Sequence, residues 1–187
     1  MKNRKCSLLS LFSLFSASAL ASYGQTTIAY SDVERINESG GSGNWFYSSG
    51  SDDALLAGNA SSSNTIFETG LLFNISAFDA EIASASSISL NVAYSTVLGS
   101  GQDVTAYLIG TNASYFGSGG MEADTAHALA TTGSSAGTIL AGDFSAPGVA
   151  SYDVTTIVQS QTGFDYVAVL LTSGITADTS GTAHDIQ

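Results

Sequence analysis

Between Ser87 and Tyr94 the chain alternates strictly, with Ile88, Leu90, Val92 and Tyr94 separated by Ser89, Asn91 and Ala93. A period of two puts every second side chain on one face, so this segment reads as a strand with one face buried and the other turned outward. Weaker versions of the signature recur. Residues 26–30 open as a short β-type run, and residues 66–73 set Phe67, Thr69, Leu71 and Phe73 on one face. Residues 103–110 give another strand, residues 138–141 a further short one, and Tyr166–Thr172 is an unbroken apolar run suited to a central strand. Clusters of Gly, Ser, Asn and Asp separate these runs, and residues 111–148 are mostly Gly, Ser, Ala and Thr. The expected fold is all-β: an antiparallel, jelly-roll-like β-sandwich. One short helical turn is expected near residues 153–160, where Asp153 caps it and Val154, Ile157 and Val158 share a face. His184-Asp185-Ile186-Gln187 reads as the start of a further strand, so the final strand is expected to be cut short.

Charge narrows what such a sandwich can meet. Of 187 residues, 16 are acidic and 4 basic. Lys2, Arg4 and Lys5 lie at the N-terminus, which leaves Arg35 alone against all the carboxylates beyond residue 21. A surface of that sign repels phosphate backbones, and nucleic acid and anionic membrane surfaces are excluded as partners. An apolar fraction of 44% beside a charged fraction of 11% favours a packed core over a disordered acidic tail. The basic start is followed by an apolar stretch over residues 8–20, and Ala19-Leu20-Ala21 supplies the small residues that a signal peptidase requires. Residues 1–21 therefore read as a signal peptide cleaved near Ala21, too short to act as a stable membrane span. Residues 22–187 read as one exported domain with no membrane insertion of the mature chain. Cys6, the single cysteine, leaves with the leader, so disulfides and thiol chemistry are ruled out for the mature chain.

The order of short motifs along the chain carries a resemblance. Phe73-Asn74-Ile75-Ser76 precedes the Ile82–Leu90 stretch "IASASSISL", and both precede "YDVTTIV" at residues 152–158. This pattern, over roughly residues 58–173, resembles the DNRLRE-type β-sandwich domains of secreted bacterial proteins, which are similar to some carbohydrate-binding modules. The arginines that give those domains their name are missing from residues 67–73. The resemblance implies a bacterial protein, secreted or at the cell surface, with a binding role toward polysaccharide and no catalytic machinery.

The residues themselves offer several chemistries. Gly133-Ser134-Ser135-Ala136-Gly137 satisfies the G-x-S-x-G formula, but a nucleophile elbow needs a strand before it and a helix after it, and neither flank has that character. Glu122, Asp124 and His127 are spaced as possible metal ligands, yet a zinc site usually draws on more nitrogen or sulfur than two scattered histidines supply. Asp32, Glu34 and Asp52 are oxygen donors of the kind that Ca2+ prefers, and a structural calcium is expected to draw on them. Trp45, Tyr47 and Tyr115 lie in polar, glycine-rich surroundings and are the candidate platforms for stacking on sugar rings. The expectation is a non-catalytic module whose partner is polysaccharide or another cell-envelope component. The alternative is a structural envelope or matrix protein with no small-molecule site.

Overall fold

The computed structural model of the chain describes residues 11–15, 26–38, 45–47, 55–60, 65–94, 103–130, 132–140, 147–172 and 184–186. For residues 11–15, 45, 46, 55–60, 65, 130 and 184–186 it describes the backbone alone. The strands are β1 (Leu11–Phe15), β2 (Thr26–Ile28), β3 (Asp32–Glu38), β4 (Trp45–Tyr47), β5 (Leu55–Ala60), β6 (Thr65–Asn74), β7 (Ser87–Tyr94), β8 (Val104–Thr111), β9 (Ser134–Ile139), β10 (Gly148–Asp153), β11 (Tyr166–Thr172) and β12 (His184–Ile186). Among the described residues three short helices interrupt them: α1 (Asp79–Ser84), α2 (Ala123–Ala130) and α3 (Thr155–Gln159).

The larger sheet runs β4-β3-β6-β11-β8-β9, with every neighbour antiparallel. The smaller is built around β7, with β10 on one edge and β1 on the other, where the tip of β12 also meets Tyr94. β2 lies outside β1. β5 ties the sheets together, since its first half pairs with β12 and its second half with β6. This is the antiparallel β-sandwich that the alternation predicts. Of the expected leader, residues 11–15 run as β1 opposite residues 87–91 of β7, whereas the expected cleavage point at Ala21 lies outside the described residues.

The space between the sheets is filled with apolar side chains. From the larger sheet come Leu71, Phe73, Val104, Ala106, Leu108, Ile139, Val167, Val169 and Leu171; from β7 come Ile88, Leu90 and Val92. Each fully buried side chain of this size contributes roughly 1.5–3 kcal/mol. Two of the helices close one end of this core. Ile82 of α1 and Val154 and Val158 beside and within α3 are buried in it. Asp153 does not take the expected capping position: Val154 is the N-cap residue of α3, and Asp153 Oδ1 instead closes a local turn, accepting from the Thr155 amide at 3.0 Å and from the Thr155 hydroxyl at 2.6 Å. Gln159 in α3 donates from Nε2 to the carbonyls of Ile82 and Ala85, both at 3.0 Å, and so satisfies the end of α1.

The sequence signalled one helical turn, and the structure has two further short helices. In α1 a lone Ile82 among Ala, Ser and acidic residues gives too little apolar spacing to register as a period. In α2 the buried contacts are made largely by alanine, which carries the same weak signal. α2 differs from the other two, because it does not pack between the sheets. It lies on the outer face of the larger sheet and adds a third layer.

Candidate functional site

The outer layer begins with β11. Val167, Val169 and Leu171 face the sandwich core, whereas Ala168 and Leu170 face the other way, and all five are fully buried. An unbroken apolar run thus corresponds to a strand covered on both faces. Leu170 and Ala168 join Ile36 and Leu72 beneath Phe116, Met121, Ala123 and Ala126. Two pieces supply this cover: α2 and the loop of residues 115–121 that leads into it.

The loop is tightly closed on itself. The Met121 amide donates to the Tyr115 carbonyl and the Gly117 amide to the Met121 carbonyl, both at 2.9 Å. Gly117 and Gly119 have φ of +133° and +87°, backbone that side chains rarely adopt. Phe116 turns inward onto Gly70 in the middle of β6, where an added Cβ would stand 2.6 Å from the ring's Cζ. That close approach accounts for a glycine in the interior of a strand. Tyr115 turns outward. Its side chain is 44% exposed, and its hydroxyl donates to the Ser118 carbonyl at 2.8 Å.

Carboxylates hold the loop in place. Asp32 accepts from the Phe116 amide at 2.7 Å, and Glu122 accepts from the Gly119 amide at 3.0 Å. Register places Glu34 opposite Gly70 and Ile36 opposite Glu68, so Asp32, Glu34 and Glu68 share the outer face. Tyr47 follows in the same row, opposite Ile36. Its hydroxyl donates to the Met121 carbonyl, and its ring lies 6.0 Å from that of Phe116, tilted by 52°. Burial, and after it the charges of Glu122, Glu34 and Asp32, push the Tyr47 hydroxyl well above the ordinary tyrosine range.

The layer also contains a pair that sequence reasoning missed. Glu68 is 2% exposed, and its Oε1 lies 3.1 Å from Nδ1 of His127 on α2. Its other oxygen is buried with no hydrogen-bond partner among the described residues. The alternation in β6 draws attention to Phe67, Thr69, Leu71 and Phe73, which leaves Glu68 on a face that reads as solvated. The useful signal was the long apolar run of β11, which requires something to cover that face.

Each expected site residue can now be placed. Tyr115 is exposed on the loop whose Phe116 and Gly119 amides donate to Asp32 and Glu122, and Tyr47 is half-buried with its hydroxyl engaged. Trp45 stands opposite Glu38 in the β3–β4 register, and its side chain lies outside the described residues. Asp32 and Glu34 share a face, and Asp52 lies outside the described residues. Glu122 and His127 make separate contacts, to Gly119 and Glu68 respectively, so with Asp124 they form no common site. Among the described residues, no three acidic, histidine or cysteine side chains come together as a metal site. Ser135 lies inside β9 opposite Tyr107, in extended strand where an elbow would need a sharp turn. Among the described residues no helix is long and apolar enough to cross a membrane. No protein-family model, curated protein or solved structure matches the chain.

Proposed function

We propose that the chain is an exported, non-catalytic binding module for extracellular or cell-wall polysaccharide, released or displayed by a bacterium after cleavage near Ala21. One observation carries this reading: Tyr115 presents an exposed ring on a loop that is closed by its own backbone and pinned by Asp32 and Glu122. A sugar ring stacks on an aromatic face and hydrogen-bonds to acceptors at its rim, and a platform already held rigid loses little conformational entropy on binding. The motif resemblance to DNRLRE-type domains supports the same reading. Trp45 and Tyr47, on the neighbouring β4, are proposed to extend the surface. A structural Ca2+ on Asp32, Glu34 and Asp52 belongs to the same proposal.

A glycan array with the purified full chain tests it, run with and without EDTA and with Tyr115→Ala and Trp45→Ala. Selective binding that Tyr115→Ala abolishes is the expected result, and loss in EDTA would add the calcium. Absence of binding by the folded protein would overturn the reading. The alternative then gains, a structural component of the cell envelope or matrix. One observation favours it: Phe116 sets its ring on Gly70 and the Tyr47 ring lies 6.0 Å from it, so both aromatics serve internal packing.

A further inference from the structure

β1 is an inner strand of the smaller sheet, paired on both sides. Phe12 stands opposite Leu90 of β7 and Ile28 of β2, and Leu14 opposite Ile88 and Thr26. The expected cleavage near Ala21 falls between β1 and β2 in the chain, so it removes the strand and leaves both of its neighbours. We infer that the vacated seat on β7 is a docking site for one extended, apolar strand of another polypeptide, and that β1 fills it until the leader is cut; this rests on the export reading above. β2 is anchored so that the seat stays open. Ile28 is buried in the inner core, and three residues on, the amide and hydroxyl of Ser31 both donate to the Leu72 carbonyl on β6, at 2.6 and 3.0 Å. Paired strands lie about 4.8 Å apart, so removing β1 leaves β2 and β7 separated by about 10 Å, room for one strand.

The seat specifies its occupant. The Ile88 amide donates to the Thr155 hydroxyl at 2.7 Å and the Ile88 carbonyl accepts from the Val154 amide at 2.9 Å, both on the α3 side. Backbone groups of successive strand residues point to opposite edges, so Ser87 and Ser89 turn theirs toward β1 and lose their ladder partners when it leaves. Those amides and carbonyls recognise another backbone, and the alternation recognises its side chains. Positions level with Leu90 and Ile88, both fully buried, fall on the core face and require apolar residues; positions level with Asn91, Ser89 and Ser87 fall on the other face and accept polar ones. The sequence LFSLF of β1 meets this, with residues 12 and 14 at the core-face positions. At the far end of the same edge Ile186 of β12 stands opposite Tyr94. A seat bounded by β2, β7 and β12 admits a short length of extended chain, as it does the five residues of β1. The edge of a folded second copy would bring a neighbouring strand into collision with β2.

The test uses the full chain with a protease site introduced over residues 19–21, folded first and cut afterwards. A fluorescently labelled peptide of residues 9–17 should bind the cut chain and not the uncut one, whose own β1 holds the seat. The same peptide carrying Phe12→Asp and Leu14→Asp should bind more weakly by on the order of a hundredfold, because both charges would enter the core. Leu11→Asp with Phe15→Asp, on the other face, should change its binding little. Hydrogen exchange at the Ser87 and Ser89 amides should be slow in the uncut chain, fast once the leader is cut and removed, and slow again with peptide. A folded cut chain that ignores the peptide, equal weakening by the two substituted peptides, or Ser87 and Ser89 amides that stay protected because β2 has closed onto β7 overturns the inference and leaves the polysaccharide reading standing. A cut chain that unfolds when β1 leaves overturns it as well, since the mature protein would then offer no seat. Mass spectrometry of the protein exported by a bacterial host separates the underlying reading: a retained leader overturns cleavage near Ala21 and the inference with it.

Discussion

The two faces of β11 are one residue apart and are covered in opposite ways. Val167, Val169 and Leu171 meet other strands across an apolar interior, whereas Ala168 and Leu170 meet an eight-residue helix and a glycine loop in a layer that also buries Glu68. The inner face needs only hydrophobicity and volume. The outer face needs particular partners: Gly70 for the Phe116 ring, Met121 for the Tyr47 hydroxyl and His127 for Glu68. Chemistry that a core would not tolerate is thereby concentrated on one side of a rigid sheet, beside the exposed Tyr115.

Substitutions on the two faces should separate these regimes. The largest effect is expected from Phe73→Ala, which empties the site of a large, fully buried side chain in the inner core. A loss of about 3–5 kcal/mol is expected in chemical denaturation, with the whole domain unfolding in one transition. His127→Ala comes next, because it leaves Glu68 buried without its partner, at a cost of about 1–3 kcal/mol. Adding Glu68→Met should recover most of that loss, since an apolar side chain needs no partner there. Recovery would mark the pair as polar specificity within the layer, and a purely additive second loss would remove it from the account.

The inner face was legible in the sequence and the outer layer was not. Period-two alternation specifies which side of β7 faces the core, because neighbouring residues alone carry that signal; in β6 it marks Leu71 and Phe73 on the core side, whereas Glu68 and Leu72 on the other side are buried as well. The pairing of Glu68 with His127 spans 59 positions and leaves no local trace. β3 reads as a polar run, DVERINE, although it lies between β4 and β6 with its last three residues buried. Tyr115 and Phe116 illustrate the limit best. They are neighbours in the sequence, but one faces solvent and the other sits on Gly70, a distinction made by β6 and not by their own neighbours.

Smaller effects sharpen the same contrast through pH. Tyr47 stays neutral in the folded state well above the range in which an unfolded tyrosine ionises, about pH 10. Its contribution to stability is therefore complete below about pH 10 and is lost as the pH rises through its raised folded value. Tyr47→Phe should cost about 1 kcal/mol near neutrality through the lost hydrogen bond, and should flatten the alkaline loss. The smallest effect is expected at Asp153, whose carboxyl is held below the usual range first by the Thr155 hydroxyl and then by the Thr155 amide. Its contribution is present above about pH 4 and fades as the pH falls through the lowered value, so Asp153→Asn should reduce the acid dependence of stability slightly.

The most direct test of a functional outer layer on an inert sandwich is residue-resolved NMR during titration with the oligosaccharide that the glycan array selects. Chemical-shift changes are expected at residues 115–122 and at Asp32 and Glu34, with Ile88, Leu90 and Val92 on the opposite sheet unchanged. Changes centred on β7 and β10, with the loop at residues 115–121 unaffected, would contradict it.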